Sequence, residues 1–359
     1  MQEGSSDFRP IEPNPYIVGN PIRDRAMFFG REDDLRFLHD RLDTAGRETI
    51  VLCGGRRSGK TSILLQALDG RLGERFLPVL VDMQQLAELR RDGDLWHAVA
   101  RRIADRIADA VGSAEGLDPP PADSPEPRAA FRRFLEDAAG RIGARKLVIL
   151  VDEYELIEEH VHAGVLTTDV TLLMASILDS TLPVSFIFTG SRRIQERDPA
   201  VWSRLMGKAL HRRISFLSLS DAERLVREPV RGRLAYENGA VRAILRLTAG
   251  HPFYTQVICQ AIVDRMNERR SAVCGAEDVD AVAESISDNP LPQMVYWWKS
   301  MSLLERVLAA LVAGIADGPD GFVAADAEEV DRAAEPPAIE SDQERVGVLT
   351  FDRPSDLAA

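Results

Sequence analysis

Gly54-Gly55-Arg56-Arg57-Ser58-Gly59-Lys60-Thr61 sets two glycines, a lysine and a hydroxyl in the spacing G-x-x-x-x-G-K-[ST]. That spacing suits a backbone cradle for phosphate. Successive N–H groups turn toward phosphate oxygens at the positive start of a helix, Lys60 reaches the β and γ phosphates, and the Thr61 hydroxyl ligates Mg²⁺. Gly54 and Gly59 are expected in backbone conformations closed to other residues. Arg56 and Arg57 read as solvated charges within the loop, and Ser62 follows it as the next nucleotide-contacting position. A nucleoside triphosphate, ATP or its product ADP, is the implied ligand, with Mg²⁺.

A second group of acids sits at the end of the most apolar run in the chain, Leu147-Val148-Ile149-Leu150-Val151-Asp152-Glu153. Ligands of open α/β sheets bind at the carboxyl ends of the strands. Asp152 is therefore expected to hold Mg²⁺ through water, and Glu153 to polarise the water that attacks the γ-phosphate. Tyr154, Glu155, Glu158 and Glu159 read as a solvated helix start whose acids suit the positive helix end. A third strand, Val184 to Thr189, runs into Gly190-Ser191-Arg192-Arg193. Arg192 is the first choice for a catalytic cation that senses the γ-phosphate, with Thr189 and Arg193 behind it. Arg204 is the weaker candidate for action on a neighbouring copy's nucleotide.

These residues need a scaffold of alternating strands and helices. Thr49 to Cys53 predicts a strand buried on both faces, and Ser62 to Leu68 a helix. Leu77 to Asp82, Leu147 to Val151, Val184 to Gly190 and Arg213 to Leu217 predict four further strands. Helices are expected from Leu35 to Leu42, Trp96 to Val111, Phe131 to Ile142 and Val170 to Leu178. Such alternation implies right-handed βαβ units and a parallel sheet. From Ser220 the strand signal stops, and four helical segments follow: Asp221 to Glu228, Gly239 to Leu247, Phe253 to Arg269 and Glu277 to Ile286.

The expected fold is thus α/β, a phosphate-loop core with a parallel sheet flanked by helices, followed by a helical lid. Its divisions are an extended arm over 1–28, the core over 29–218 with a flexible loop at 112–128, the lid over 219–290, and a small C-terminal unit or acidic tail over 295–359. A further helix is predicted from Leu303 to Ala316.

The 359 residues carry a net charge of −13. Residues 299–359 hold 13 acids against 5 bases, a net of −8, which leaves −5 for residues 1–298. Nucleic acid is accordingly possible but not favoured as a partner, and a second copy or another protein is preferred. No apolar run approaches the roughly 20 residues of a membrane span. Three cysteines, Cys53, Cys259 and Cys274, lack metal or disulfide spacing and suit a reducing, cytoplasmic setting.

Six short elements occur in a telling order: Phe29-Gly30-Arg31-Glu32, the loop Gly54 to Thr61, the strand Leu147 to Glu153, Thr189 to Arg192, Ser218-Leu219-Ser220-Asp221-Ala222 and Gly250-His251-Pro252. In these the chain resembles the STAND ATPases, signalling relatives of the AAA+ proteins, on their prokaryotic branch near the archaeal and origin-recognition-like ATPases. The resemblance covers about residues 14–290. It implies that Phe29, Gly30 and Arg31 lie near adenine and ribose, and that Arg192 matches the sensor arginine. It also implies that Gly250, His251 and Pro252 form a lid turn against the nucleotide, with His251 or Pro252 touching phosphate or base. His251 reads equally as a turn histidine bonded to backbone.

The resemblance further implies a winged-helix-like unit after the lid, for which residues 317–359 lack a clear second helix. The leading functional reading is a slow ATPase acting as a molecular switch, whose lid closes on ATP and Mg²⁺ to control assembly or a partner. The alternative is an origin-recognition-like DNA-binding AAA+ ATPase, and a nucleotide-binding scaffold without turnover ranks third.

Overall fold

A computed structural model describes residues 8–44, 48–86, 88–191, 193–302 and 306. They form two compact units, one from Arg31 to Ser215 and the other from the described residues of 1–30 and 216–359.

The first unit alternates strands and helices. Its elements are α1 (Glu32–Leu42), β1 (Thr49–Cys53), α2 (Lys60–Gln66), β2 (Phe76–Asp82), α3 (Asp92–Val111), α4 (Pro127–Arg141), β3 (Lys146–Asp152), α5 (Glu155–His162), α6 (Asp169–Leu178), β4 (Val184–Gly190), α7 (Pro199–Met206) and β5 (Ala209–Arg213). The sheet order is β2-β3-β4-β1-β5, with every pairing parallel. β1, β3 and β4 are covered on both faces, which explains their unbroken apolar runs. One face packs through Val51, Val79, Ile149 and Phe188 against Trp96, Phe131 and Leu173 of the helices.

β5 corrects the expectation of a strand from Arg213 to Leu217. The strand is Ala209–Arg213, with a mostly half-buried pattern, and it borders the sheet by pairing only with β1. An edge strand has little apolar content to betray it. The buried Ile214 and Leu217 that suggested a strand follow its end. Ile214 nevertheless continues the contact with β1 by donating its N–H to the Cys53 carbonyl at 2.7 Å.

Residues 112–126 form no helix or strand, yet they are anchored. Leu117 is buried, His97 Nδ1 lies 2.9 Å from the Pro120 carbonyl, and Gly93 makes room for the Ala122 carbonyl, 2.1 Å from where a Cβ would stand.

The second unit contains α8 (Leu219–Arg227), α9 (Asn238–Thr248), α10 (Pro252–Arg269), α11 (Ala276–Asp288) and α12 (Pro292–Ser300). Two short strands, β6 (Ala235–Tyr236) and β7 (Val273–Cys274), pair in parallel, so strands do not stop at Ser220. At two residues each they are too short to show a period. The N-terminal arm lies along α10. Ile11 N–H donates to Asn267 at 2.8 Å, Ile17 N–H to Gln256 at 2.8 Å, and Asn14 to the Gln260 carbonyl at 3.0 Å. The Tyr16 hydroxyl donates to the Val226 carbonyl on α8 at 2.5 Å. Apart from Arg306, the helix expected from Leu303 to Ala316 lies outside the described residues, as does most of the winged-helix-like unit expected over 295–359. Among those residues, no helix is long and apolar enough to cross a membrane.

Candidate nucleotide site

β1 ends at Cys53, and the glycine loop fills the space between it and α2. Gly54 is required by close approach: a Cβ there would stand 2.2 Å from the Ile214 carbonyl oxygen. Its φ is not among the positive ones, which corrects the expectation of a special conformation at this glycine. Gly59 does meet that expectation, capping α2 at φ +99°. Lys60 folds its ammonium back onto the loop, donating to the Gly54 and Gly55 carbonyls at 2.8 Å each. Burial pushes the Lys60 pKa down, opposed by the negative charges of Glu155, Asp152 and Glu153.

Strand order brings the next two parts together. β4 lies between β3 and β1, and Thr189 pairs with Leu52 of β1. Its hydroxyl donates to Asp152 Oδ1, while the Thr61 hydroxyl donates to Asp152 Oδ2 at 2.8 Å. Thus one buried carboxylate is held by hydroxyls from β4 and from the first turn of α2. A hydroxyl and a carboxylate in contact are hard oxygen donors that fit Mg²⁺, an ion that keeps several waters and takes few protein ligands.

Glu153 follows in a left-handed backbone conformation, φ +55°, which turns it out of the strand line. Gln84, just after β2, donates to its Oε2 at 2.6 Å. Partial burial pushes the Glu153 pKa up, the Gln84 hydrogen bond pulls it down, and Asp152, Glu155 and Asp82 add to the rise.

The helix start after Glu153 is not the solvated face expected. Tyr154 is fully buried against Phe188 and Trp202, with ring centroids at 5.8 and 5.1 Å. Glu155 accepts from the Ser191 N–H and, at 2.8 Å, from the Ser191 hydroxyl. Glu158 is buried, paired with Arg197 at 3.0 Å and bonded by Trp202 Nε1 at 2.8 Å. Only Glu159 remains exposed. Glutamates beside aromatic residues look solvated until the packing partner, here α7, is known.

Arg192 lies outside the described residues. Arg193 is exposed and acts on the Cys53 thiol, whose pKa burial raises and Arg193 lowers. Arg204 is exposed on α7. Arg31 is buried and donates to the Ser58 carbonyl at 2.9 Å and the Ser215 carbonyl at 2.5 Å. It also faces Asp34 at 3.6 Å, and Asp34 accepts from Arg212 at 2.7 Å. Arg31 therefore braces the glycine loop to the segment after β5.

Phe29, Gly30, His251 and Pro252 belong to the second unit. The Arg224 guanidinium lies over the Phe29 ring at 5.5 Å. Gly30 has φ +66°, with Asp221 2.7 Å from where its Cβ would be. His251 is buried between Phe216 and Tyr254, with centroids at 5.1 and 4.7 Å, and Pro252 opens α10 behind it. Gly250, at φ +75°, closes the turn, and its carbonyl accepts from the Leu217 N–H at 3.0 Å.

Sequence reasoning missed Thr189 as a holder of Asp152, and missed Gln84, Glu155 and Glu158. Of these, only Thr189 gave a signal, as a polar residue ending an apolar strand.

No protein-family model and no curated protein matches the chain. Solved structures do. The Walker-type ATPase PABY2304 of Pyrococcus abyssi is similar at 18% identity and TM-score 0.55, over 83% of this chain and 81% of that one. A chain of the Drosophila origin recognition complex bound to DNA is similar at 12% identity and TM-score 0.51, over 94% of this chain and 84% of that one. The Aeropyrum pernix ORC1 protein in complex with DNA shares 16% identity at TM-score 0.47, over 81% and 73%. The parallel sheet, its strand order and its flanking helices give this chain the fold of an AAA+-type phosphate-loop ATPase.

Proposed function

We propose that this chain binds ATP with Mg²⁺, hydrolyses it slowly, and uses its nucleotide state to govern binding to duplex DNA in the manner of an origin-recognition-like ATPase. One observation carries the ATPase reading. Asp152 is gripped by Thr61 and Thr189, with Glu153 next to it and Lys60 in the same loop as Thr61. Bound Mg²⁺ would neutralise charge on the β and γ phosphates. Thr61 and Asp152 would hold it, Lys60 would leave the Gly54 and Gly55 carbonyls for phosphate oxygens, and Glu153 would orient and deprotonate the attacking water. Arg192 or Arg193 would face the γ-phosphate from the end of β4.

The fold likeness to a DNA-bound origin recognition complex supports the DNA reading over the signalling switch that leads from sequence alone. The net charge of −13 favours the second reading, a nucleotide-dependent assembly with another protein or a second copy. Two measurements separate them, both on Glu153→Gln with ATP or ADP. A salt-dependent gel shift of duplex DNA at physiological ionic strength supports the first reading. Light scattering after size exclusion that shows an ATP-dependent mass without DNA binding supports the second.

A further inference from the structure

Three polar residues of α5 lie at 155, 158 and 162, a spacing that puts them on one helix face. All three fasten the connection that leaves β4. Glu155 holds its first residue, Ser191, through both the N–H and the hydroxyl. Glu158 holds its far end, pairing with Arg197 at 3.0 Å and accepting from the Asp198 N–H at 3.1 Å and from Trp202 Nε1 at 2.8 Å. His162 Nε2 meets Asp198 Oδ2 at 2.7 Å, where Asp198 caps α7 by accepting from the Ala200 N–H. Gly190 completes the seat, since a Cβ there would stand 2.4 Å from the Tyr154 ring and 2.6 Å from the Glu155 carboxylate.

Glu158 and Arg197 are both largely withdrawn from water, a burial that is expensive unless the partners are fixed. The connection they fix carries Arg193 at the end of the strand beside β1, and α5 begins two residues after Glu153. Glu153 just before α5 and Arg193 just after Ser191 therefore flank the contacts by which α5 fastens this connection.

We propose that Glu155 and Glu158 are positioning residues for hydrolysis, clamping the connection after β4 so that Arg193 stays in register with Glu153 and the glycine loop. The clamp rests on the nucleotide reading given above. Glu158 acts on the chemical step rather than on nucleotide capture, because its partners are Arg197, Asp198 and Trp202, whereas the charge of Glu155 also acts on Lys60 of the glycine loop.

The test is Glu158→Gln, which keeps an acceptor for Trp202 and Asp198 but removes the charge facing Arg197. We expect kcat to fall about tenfold with ATP affinity, read with a fluorescent analogue, within about twofold. Arg197→Gln should give the same loss, and the double variant no more than either single one, the signature of a shared interaction. Ser191→Ala, exposed and safe for folding, should lower kcat about two- to fivefold. Amide exchange across 191–198 should quicken in Glu158→Gln. Wild-type kcat and unchanged exchange overturn the clamp, as does equal loss of affinity and kcat. Absence of nucleotide binding in the unaltered protein overturns the nucleotide reading instead, and the exchange measurement then decides the clamp alone.

Discussion

Thr61 on the first turn of α2 donates its hydroxyl to Asp152 at the end of β3, 2.8 Å away. This single contact ties the glycine loop to the acidic strand, two segments separated by about ninety residues of sequence. It exists because parallel pairing sets the carboxyl ends of β3, β4 and β1 side by side.

Asp152→Asn should uncouple that junction. The amide can still meet one hydroxyl, so folding stability should change by only about 1 kcal/mol. The lost charge should reduce Mg²⁺-dependent ATP hydrolysis by about 100-fold or more and move half-activation to higher Mg²⁺. An Mg²⁺ titration of hydrolysis reads both, and an unchanged titration curve contradicts the assignment.

The glycines offer a contrast within one loop. Gly54→Ala forces a methyl into the Ile214 carbonyl, whereas Gly55→Ala meets nothing within 4 Å and needs no positive φ. Gly54→Ala should destabilise by about 1 to 3 kcal/mol and weaken nucleotide binding, while Gly55→Ala should fold like the parent protein. Gly190→Ala, pressed against Tyr154 and Glu155, should behave like Gly54→Ala. Thermal melts rank the three, and equal melts would refute the packing argument.

Much of this site is legible in the sequence, for a physical reason. β1 and β3 are buried on both faces, so each is an unbroken apolar run that stops where the functional loop starts. Gly59 is legible because helix-capping geometry at positive φ selects its type. What stayed hidden is why Gly54 must be glycine and what Thr189 and Glu158 hold, since each depends on a partner distant in sequence. Gly54 answers to Ile214, Thr189 to Asp152, and Glu158 to Arg197 and Trp202. β5 is hard to place because only Ala209 and Leu210 of its five residues are apolar, while Ile214 and Leu217 beyond its end are buried. β6 and β7 are too short to imprint any pattern.

Glu153 links geometry to pH. Its pKa lies above the ordinary glutamate range through partial burial and nearby acids, restrained by the Gln84 hydrogen bond. As the ionised form is the base, hydrolysis should fall as pH drops through that raised pKa. Gln84→Ala removes the restraint, so the acid limb of the rate profile should move to higher pH. Stability runs the other way. A raised folded-state pKa adds stability at low pH that is lost as pH rises through it, so Glu153→Gln should be no less stable than the parent at pH 7. A pH–rate profile of Gln84→Ala that overlays the parent's contradicts this account.

The central claim is that the loop from Gly54 to Thr61 takes ATP and that Glu153 turns it over. Calorimetric titration of ATP with Mg²⁺ into the unaltered protein, Lys60→Ala and Glu153→Gln, paired with phosphate release, tests it most directly. The account predicts binding by the unaltered protein and by Glu153→Gln, loss of binding in Lys60→Ala, and phosphate release only by the unaltered protein. Undiminished ATP affinity in Lys60→Ala, or full turnover in Glu153→Gln, would contradict it.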